Sequence, residues 1–174
     1  MTTVRIQDPT VVVLIGAAGS GKSTLAARHF EPSEVVSSDA FRALVSGDEA
    51  DQAASPVAFR ILHRELERRL AAGLTTVVDA TNARPDHRRP ILARARAAGA
   101  GTVAIVLDLD PAEVHVRNAS RSRVVDRAVV DRHLAAVRET VDADRLGPEG
   151  FTTVVVLRST AMVDELVVDR HPDR

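Results

Sequence analysis

The chain has 174 residues, 45% of them hydrophobic, with 23 basic and 24 acidic residues giving a formal net charge of −1. That length fits one domain with a sizeable core, and the composition is that of a globular protein. The lack of cysteine excludes disulfides, thiolate nucleophiles and Cys-zinc sites, the near-neutral charge allows at most a local contact to nucleic acid, and four Phe without Trp or Tyr argue against an aromatic platform for bases.

The opening, MTTVRIQDPTVVVLIG, carries an apolar run over residues 11–15 that is too short for a signal-peptide core or a membrane span. A cytoplasmic protein without membrane attachment is the expectation. Bounded by glycine and wholly apolar, the same run predicts a buried parallel strand. A glycine-rich segment leads into a helix over 22–30, and VV followed by serines predicts a second strand over 34–37. Pro56 starts a helical pattern to residue 72 with Ile61, Leu62, Leu66 and Leu70 near one face, and Gly73 fits its C-cap. A third strand over 74–78 ends at Asp79, a helix spans 85–98, and a fourth strand spans 102–107. Pro111 opens the next helix at a favoured first-turn position. Further helices are expected over 126–141 and 161–168, with a fifth strand over 152–157 between them and a frayed polar end, DRHPDR. Strands alternating with helices predict a three-layer α/β domain with a mostly parallel five-stranded sheet, as a single domain over 1–174, and the Walker A pattern GAAGSGKS at residues 16–23 makes the expected fold that of a P-loop NTPase.

GAAGSGKS, residues 16–23, is the full Walker A pattern, placed between strand and helix as the chemistry requires. Backbone amides of such a loop point inward to cradle phosphate oxygens. Gly16, Gly19 and Gly21 allow the turn, and Ser20 and Thr24 complete the loop's expected contacts. Lys22 is expected to reach the β and γ phosphates and Ser23 to ligate Mg²⁺, so ATP and Mg²⁺ are the predicted ligands. No guanine-reading NKxD signal is found, and the chain is small for a motor, which favours a small kinase.

In VVSSDAFRALVSGDEAD, Asp39 falls beyond the second strand, on the edge where open α/β sheets bind ligands. It is a candidate base for an incoming hydroxyl, with Arg42 one helical turn on as a clamp for an acceptor phosphate. The structural alternative is as good locally: Ser38 or Asp39 caps a helix, and Arg42 makes a surface i, i+3 ion pair. Asp79, in VVDATNARPDHRR, suits a Walker B carboxylate over Mg²⁺, and Thr81 and Asn82 are small polar groups expected at the same edge, facing substrate. Five arginines and two aspartates lie between residues 117 and 132, and five more arginines lie between 84 and 96. A charged helical face explains most of them. Arg121 and Arg123, at the junction of two helices, suit a lid over 117–132 that neutralises a phosphoryl group in transit.

Together LIGAAGSGKST, VVSSDAFRALVSGDEADQ, VVDATNARPDHRRPIL and RNASRSRVVDR resemble the kinase module of bacterial polynucleotide kinase-phosphatase, an RNA-repair enzyme. The resemblance runs from about Val11 to Glu165. It implies transfer of the γ-phosphate of ATP to the 5′-OH of RNA or DNA, with Asp39 as general base and Arg42 on the acceptor's 3′-phosphate. Lys22 and Ser23 match the ATP–Mg²⁺ residues, and Arg121, Arg123 and Arg117 match the lid arginines. Nothing corresponds to that family's phosphatase and ligase modules, and its kinase module can dimerise, which leaves a homodimer open. A small-molecule kinase for a sugar, antibiotic or nucleotide stays a second reading, and a nucleotide-binding regulatory domain a third.

Overall fold

A computed structural model describes residues 2–171. In chain order the elements are β1 (Thr2–Gln7), β2 (Thr10–Ile15), α1 (Lys22–His29), β3 (Val35–Ser37), α2 (Ser38–Ser46), α3 (Ser55–Ala71), β4 (Thr76–Asp79), α4 (Pro85–Ala97), β5 (Gly101–Leu107), α5 (Pro111–Ala119), α6 (Arg127–Asp142), α7 (Leu146–Glu149), β6 (Thr153–Leu157), α8 (Thr160–Asp164) and β7 (Leu166–His171). Five strands form one sheet in the order β3-β4-β2-β5-β6, every pairing parallel. This is the three-layer α/β architecture that the alternating pattern predicts.

Central β2 is buried at every residue, which is why it reads TVVVLI without polar interruption. Its side chains still alternate between two cores. Val12 and Leu14 pack with Leu25 of α1, Val114 of α5 and Val130 of α6. Val11, Val13 and Ile15 pack on the other face with Leu62 and Leu66 of α3 and Ile91 of α4. The stripe Ala58, Leu62, Leu66, Leu70 is the buried face of α3. At its end Gly73 adopts φ +70°, so that Leu74 N–H can reach back to the Arg69 carbonyl at 3.0 Å.

The ends of the chain depart from expectation. Residues 161–168 do not form one helix: α8 stops at Asp164, and Leu166 starts β7, which pairs in parallel with β1 in a separate two-stranded sheet. The β-branched pair Val167–Val168 suits a strand, and its register places Val168 against Val4. The strand β1 is likewise absent from the sequence reading, although Val4 and Ile6 alternate with exposed polar residues as a half-buried strand should. Asp169–His171 of the supposedly frayed end belong to β7, and 172–174 lie outside the described residues. Among the described residues no helix is long and apolar enough to cross a membrane.

Candidate active site

The loop of residues 16–23 turns between β2 and α1 at the carboxyl edge of the sheet. Gly19 holds φ +84°, and a Cβ there would come within 2.7 Å of the Val114 carbonyl oxygen, so the loop sits directly against α5. Lys22 opens α1, and its Nζ donates to the carbonyls of Gly16 and Ala17, each at 2.9 Å. Burial pushes its ammonium down to about 8, Asp79 and Asp39 oppose that shift, and Arg121 adds to it. Two carboxylates and one guanidinium therefore act on a single buried lysine. The Ser20 hydroxyl is buried without a partner among the described residues, while Thr24 is exposed on α1.

Ser23 Oγ donates to Asp79 Oδ2 at 2.7 Å. The pair offers a hydroxyl and a carboxylate, hard oxygen donors of the kind and number that Mg²⁺ takes from a protein when phosphates and water complete its shell. Among the described residues no group of three or more His, Cys, Asp or Glu could hold a metal. The donor set thus fits an ion that brings most of its ligands with it.

Across the cleft, Ser37 caps α2, its Oγ accepting from Ala40 N–H at 3.4 Å. The cap is neither Ser38 nor Asp39, because Ser37 is the last extended residue before the helix. That leaves the Asp39 carboxylate, 37% exposed, for other partners. Arg42 Nη2 donates to its Oδ1, and Arg123 Nη1 donates to its Oδ2 at 3.3 Å. The Arg42–Asp39 pair is not a surface contact: Arg42 is 7% exposed, and its Nε donates to the Glu49 carbonyl at 2.8 Å. It stands behind Asp39 rather than in an open groove.

The turn after β4 also differs from expectation. The Thr81 carbonyl accepts from Gly16 N–H at 3.1 Å, joining this turn to the phosphate loop. Asn82, at φ +47° and 1% exposed, donates from Nδ2 to the carbonyls of Leu14 at 2.8 Å and Ala80 at 3.2 Å. It laces the ends of β2 and β4 together beneath the edge, where it cannot face a substrate.

Residues 120–126 link α5 to α6, as the arginine-rich stretch predicts. Asn118 fixes this link from below, donating to the Val125 carbonyl at 2.8 Å and accepting from Val125 N–H at 3.1 Å. Arg123 reaches from it to Asp39, while the Arg121 side chain makes no hydrogen bond or ion pair among the described residues and acts on Lys22 through space. Arg117 pairs with Glu113 and, at 2.8 Å, with Thr160 Oγ1, and its Nη1 lies beside the phosphate loop, 3.6 Å from where a Cβ on Gly21 would sit. Lys22, Ser23, Asp39, Asp79, Arg121 and Arg123 thus gather around the phosphate loop at the carboxyl edge of the sheet.

Sequence reasoning misses Arg88, which it leaves on a charged helical face. The residue is 0% exposed, donates to both carboxylate oxygens of Glu149 at 2.7 and 2.6 Å, and donates to the Asn82 carbonyl at 2.9 Å. Its partner lies on α7, and no local pattern points to it.

A family model described as an AAA domain matches residues 11–143. No curated protein matches the chain. Among solved structures, a candidate kinase from Chloroflexus aurantiacus j-10-fl is 17% identical, with a TM-score of 0.61 over 86% of this chain and 88% of that one. A chain of the Pnkp1/Rnl/Hen1 complex is 24% identical, with a TM-score of 0.55 over 68% of this chain and 40% of its own length. A gluconokinase from Sinorhizobium meliloti 1021 is 17% identical, with a TM-score of 0.53 over 90% of this chain and 86% of that one. Likeness at this level is likeness of fold.

Proposed function

The chain belongs to the AAA-domain family, as a P-loop kinase-like α/β domain, and from that premise we propose that it transfers the γ-phosphate of ATP to the 5′-OH end of RNA or DNA. The observation that carries the reading is the convergence on Lys22 of Asp39, Asp79 and Arg121, with Arg123 bridging to Asp39. A phosphate loop alone would bind a nucleotide. A second carboxylate across the cleft, free of any capping duty and aligned by two guanidiniums, gives the phosphate somewhere to go.

Phosphoryl transfer asks mainly for positioning and charge stabilisation. Lys22 leaves the loop carbonyls for the β and γ phosphates. Asp39 orients the acceptor hydroxyl and takes its proton as the new P–O bond forms and the bond from the γ-phosphorus to the bridging oxygen breaks, releasing ADP. Arg123 and Arg121, in a lid over 117–132, share the charge of the group in transit, Arg123 exchanging its contact with Asp39 for that role. Ser23 and Asp79 would hold Mg²⁺, which when bound neutralises charge between the phosphates. The polynucleotide acceptor is supported by the quoted segments around Asp39, Asp79 and the link arginines.

One observation favours a second reading, a small-molecule hydroxyl acceptor: Arg42, the residue suited to grip an acceptor phosphate, is buried with its donors engaged. Incubation with γ-labelled ATP and Mg²⁺, offering 5′-OH RNA, 5′-OH DNA and a panel of sugars, separates the two. Label on an oligonucleotide is expected. Label on a sugar with none on either oligonucleotide overturns the first reading in favour of the second.

A further inference from the structure

Asp39 presents two carboxylate oxygens, and different elements hold them. Oδ1 accepts from Arg42 and from Ser38 Oγ, the latter at 3.5 Å. Both donors lie on α2 with Asp39 itself, and Arg42 is buried and tied by Nε to the Glu49 carbonyl at 2.8 Å. That side of the carboxylate is fixed by α2 and the turn after it. Among the described residues Oδ2 accepts only from Arg123 Nη1, at 3.3 Å and from 84 residues along the chain.

Arg123 belongs to the link between α5 and α6. Asn118 holds that link at Val125 through both ends of its amide, and Arg121 N–H donates to the Asn118 carbonyl at 3.3 Å. Arg123 lies between these two anchors, and its side chain keeps 17% exposure where Arg42 is buried. Its contact with Asp39 is also longer than the roughly 2.7–2.9 Å usual between a guanidinium and a carboxylate. Of the two guanidiniums on Asp39, Arg123 is therefore the one placed to leave.

Resting on the proposed transfer to a polynucleotide end, we propose that the Arg123–Asp39 contact gates the acceptor side, and that the γ-phosphate of ATP opens it while ADP does not. Without nucleotide the guanidinium occupies Oδ2, the oxygen that an acceptor hydroxyl needs. A γ-phosphate offers Arg123 more negative charge and three oxygens in place of one, and draws it off the carboxylate. ADP ends in the cradle of the phosphate loop, one phosphate short, and leaves the contact closed. Arg42 stays on Oδ1 throughout, so the freed carboxylate keeps its orientation. ATP and acceptor then bind with positive coupling, which is reciprocal. Because a partly exposed ion pair is exchanged rather than lost, the coupling is limited to about fivefold.

The test measures affinity for a 5′-OH oligonucleotide without nucleotide, with ADP and with a non-hydrolysable ATP analogue, all with Mg²⁺. The analogue is expected to tighten acceptor binding about fivefold and ADP to leave it unchanged. Arg123→Ala should bind the acceptor equally in all three conditions. Equal acceptor affinity with analogue and ADP in the wild type, or a difference that persists in Arg123→Ala, overturns the gate, while phosphorylation of the oligonucleotide still upholds the transfer. A second arm needs no acceptor. Asp39→Ala frees Arg123 in advance, so it should tighten the analogue about two- to fivefold and ADP not at all, and the same change made in Arg123→Ala should do nothing. Tightening that survives without Arg123 is plain repulsion between Asp39 and the γ-phosphate, and overturns the gate. Where no oligonucleotide is bound or phosphorylated but this nucleotide cycle runs as expected, the gate stands and the transfer to a polynucleotide end falls.

Discussion

Asp39 and Lys22 divide the chemistry of the cleft, and each carries its own test. Asp39 touches Arg42, Arg123 and its neighbour Ser38 but no element of the phosphate loop, which is why the proposed transfer gives it to the acceptor. Asp39→Ala is expected to lower transfer about 10²- to 10⁴-fold, the usual contribution of a positioned base. Nucleotide affinity should change by no more than about fivefold, since a partly exposed charge acting through space contributes at most ~1 kcal/mol. Single-turnover transfer and a nucleotide titration check the two halves, and a collapse of nucleotide affinity would reassign the residue. The proposed transfer gives Lys22 to the nucleotide, and burial brings its ammonium down to about 8. A bound phosphate raises that value, so binding takes up a proton wherever the free lysine has lost one. Affinity should thus hold up to about pH 8 and fall above it, by about tenfold at pH 9. The sign for folding runs the other way: a lysine whose folded pKa lies below its unfolded one opposes folding most below about 8, and that cost shrinks as pH rises toward 10.5. Titrations at several pH values, repeated with Lys22→Met, check the dependence, which the variant should lack.

At the scale of elements, the turn after β4 is held by partners far away in the chain. Arg88 joins α4 to α7 through Glu149 and supports Asn82, which in turn laces β2 to β4. Removing one member of a buried ion pair leaves the other uncompensated, so Arg88→Met is expected to cost about 3–5 kcal/mol of unfolding free energy. Adding Glu149→Gln should recover a substantial part, and denaturant melts of the single and double variants measure it. No recovery would mean that the Asn82 contact matters more than the ion pair. This network also marks how far the sequence can be read. The strands β2 to β6 and the phosphate loop are legible because each depends on neighbours in sequence: apolar runs, glycine spacing, a proline in a first turn. The strand β7 is not, because a short β-branched run after a helix joins it or leaves it according to whether β1 is there to pair. Arg42 and Asn82 look like site residues locally, and only packing shows that one backs Asp39 and the other lies beneath the edge.

Over the whole molecule, charge limits how a polynucleotide can be held. The formal net charge is −1, and many arginines are already committed: Arg42 to Asp39, Arg88 to Glu149, Arg117 to Glu113, Arg138 and Arg158 to Asp108, Arg170 to Glu34. Across the chain the remaining basic residues are matched by acidic ones, and the proposed transfer assigns Arg121 and Arg123 to the phosphate in transit. Binding of an oligonucleotide acceptor should therefore depend weakly on salt. With about two to four phosphates engaged on a single strand, the slope of log K against log salt is expected at about −1.4 to −2.8. A trinucleotide acceptor should bind about as tightly as a dodecamer, because added phosphates meet a molecule with no net positive charge. Affinity measured across salt concentrations for both lengths checks this. A slope steeper than about −5, or a large gain with length, would require an extended basic surface, against the expectation from a net charge of −1. A shallow slope would instead locate recognition at the site itself, where the proposed transfer brings the acceptor hydroxyl to the carboxylate of Asp39.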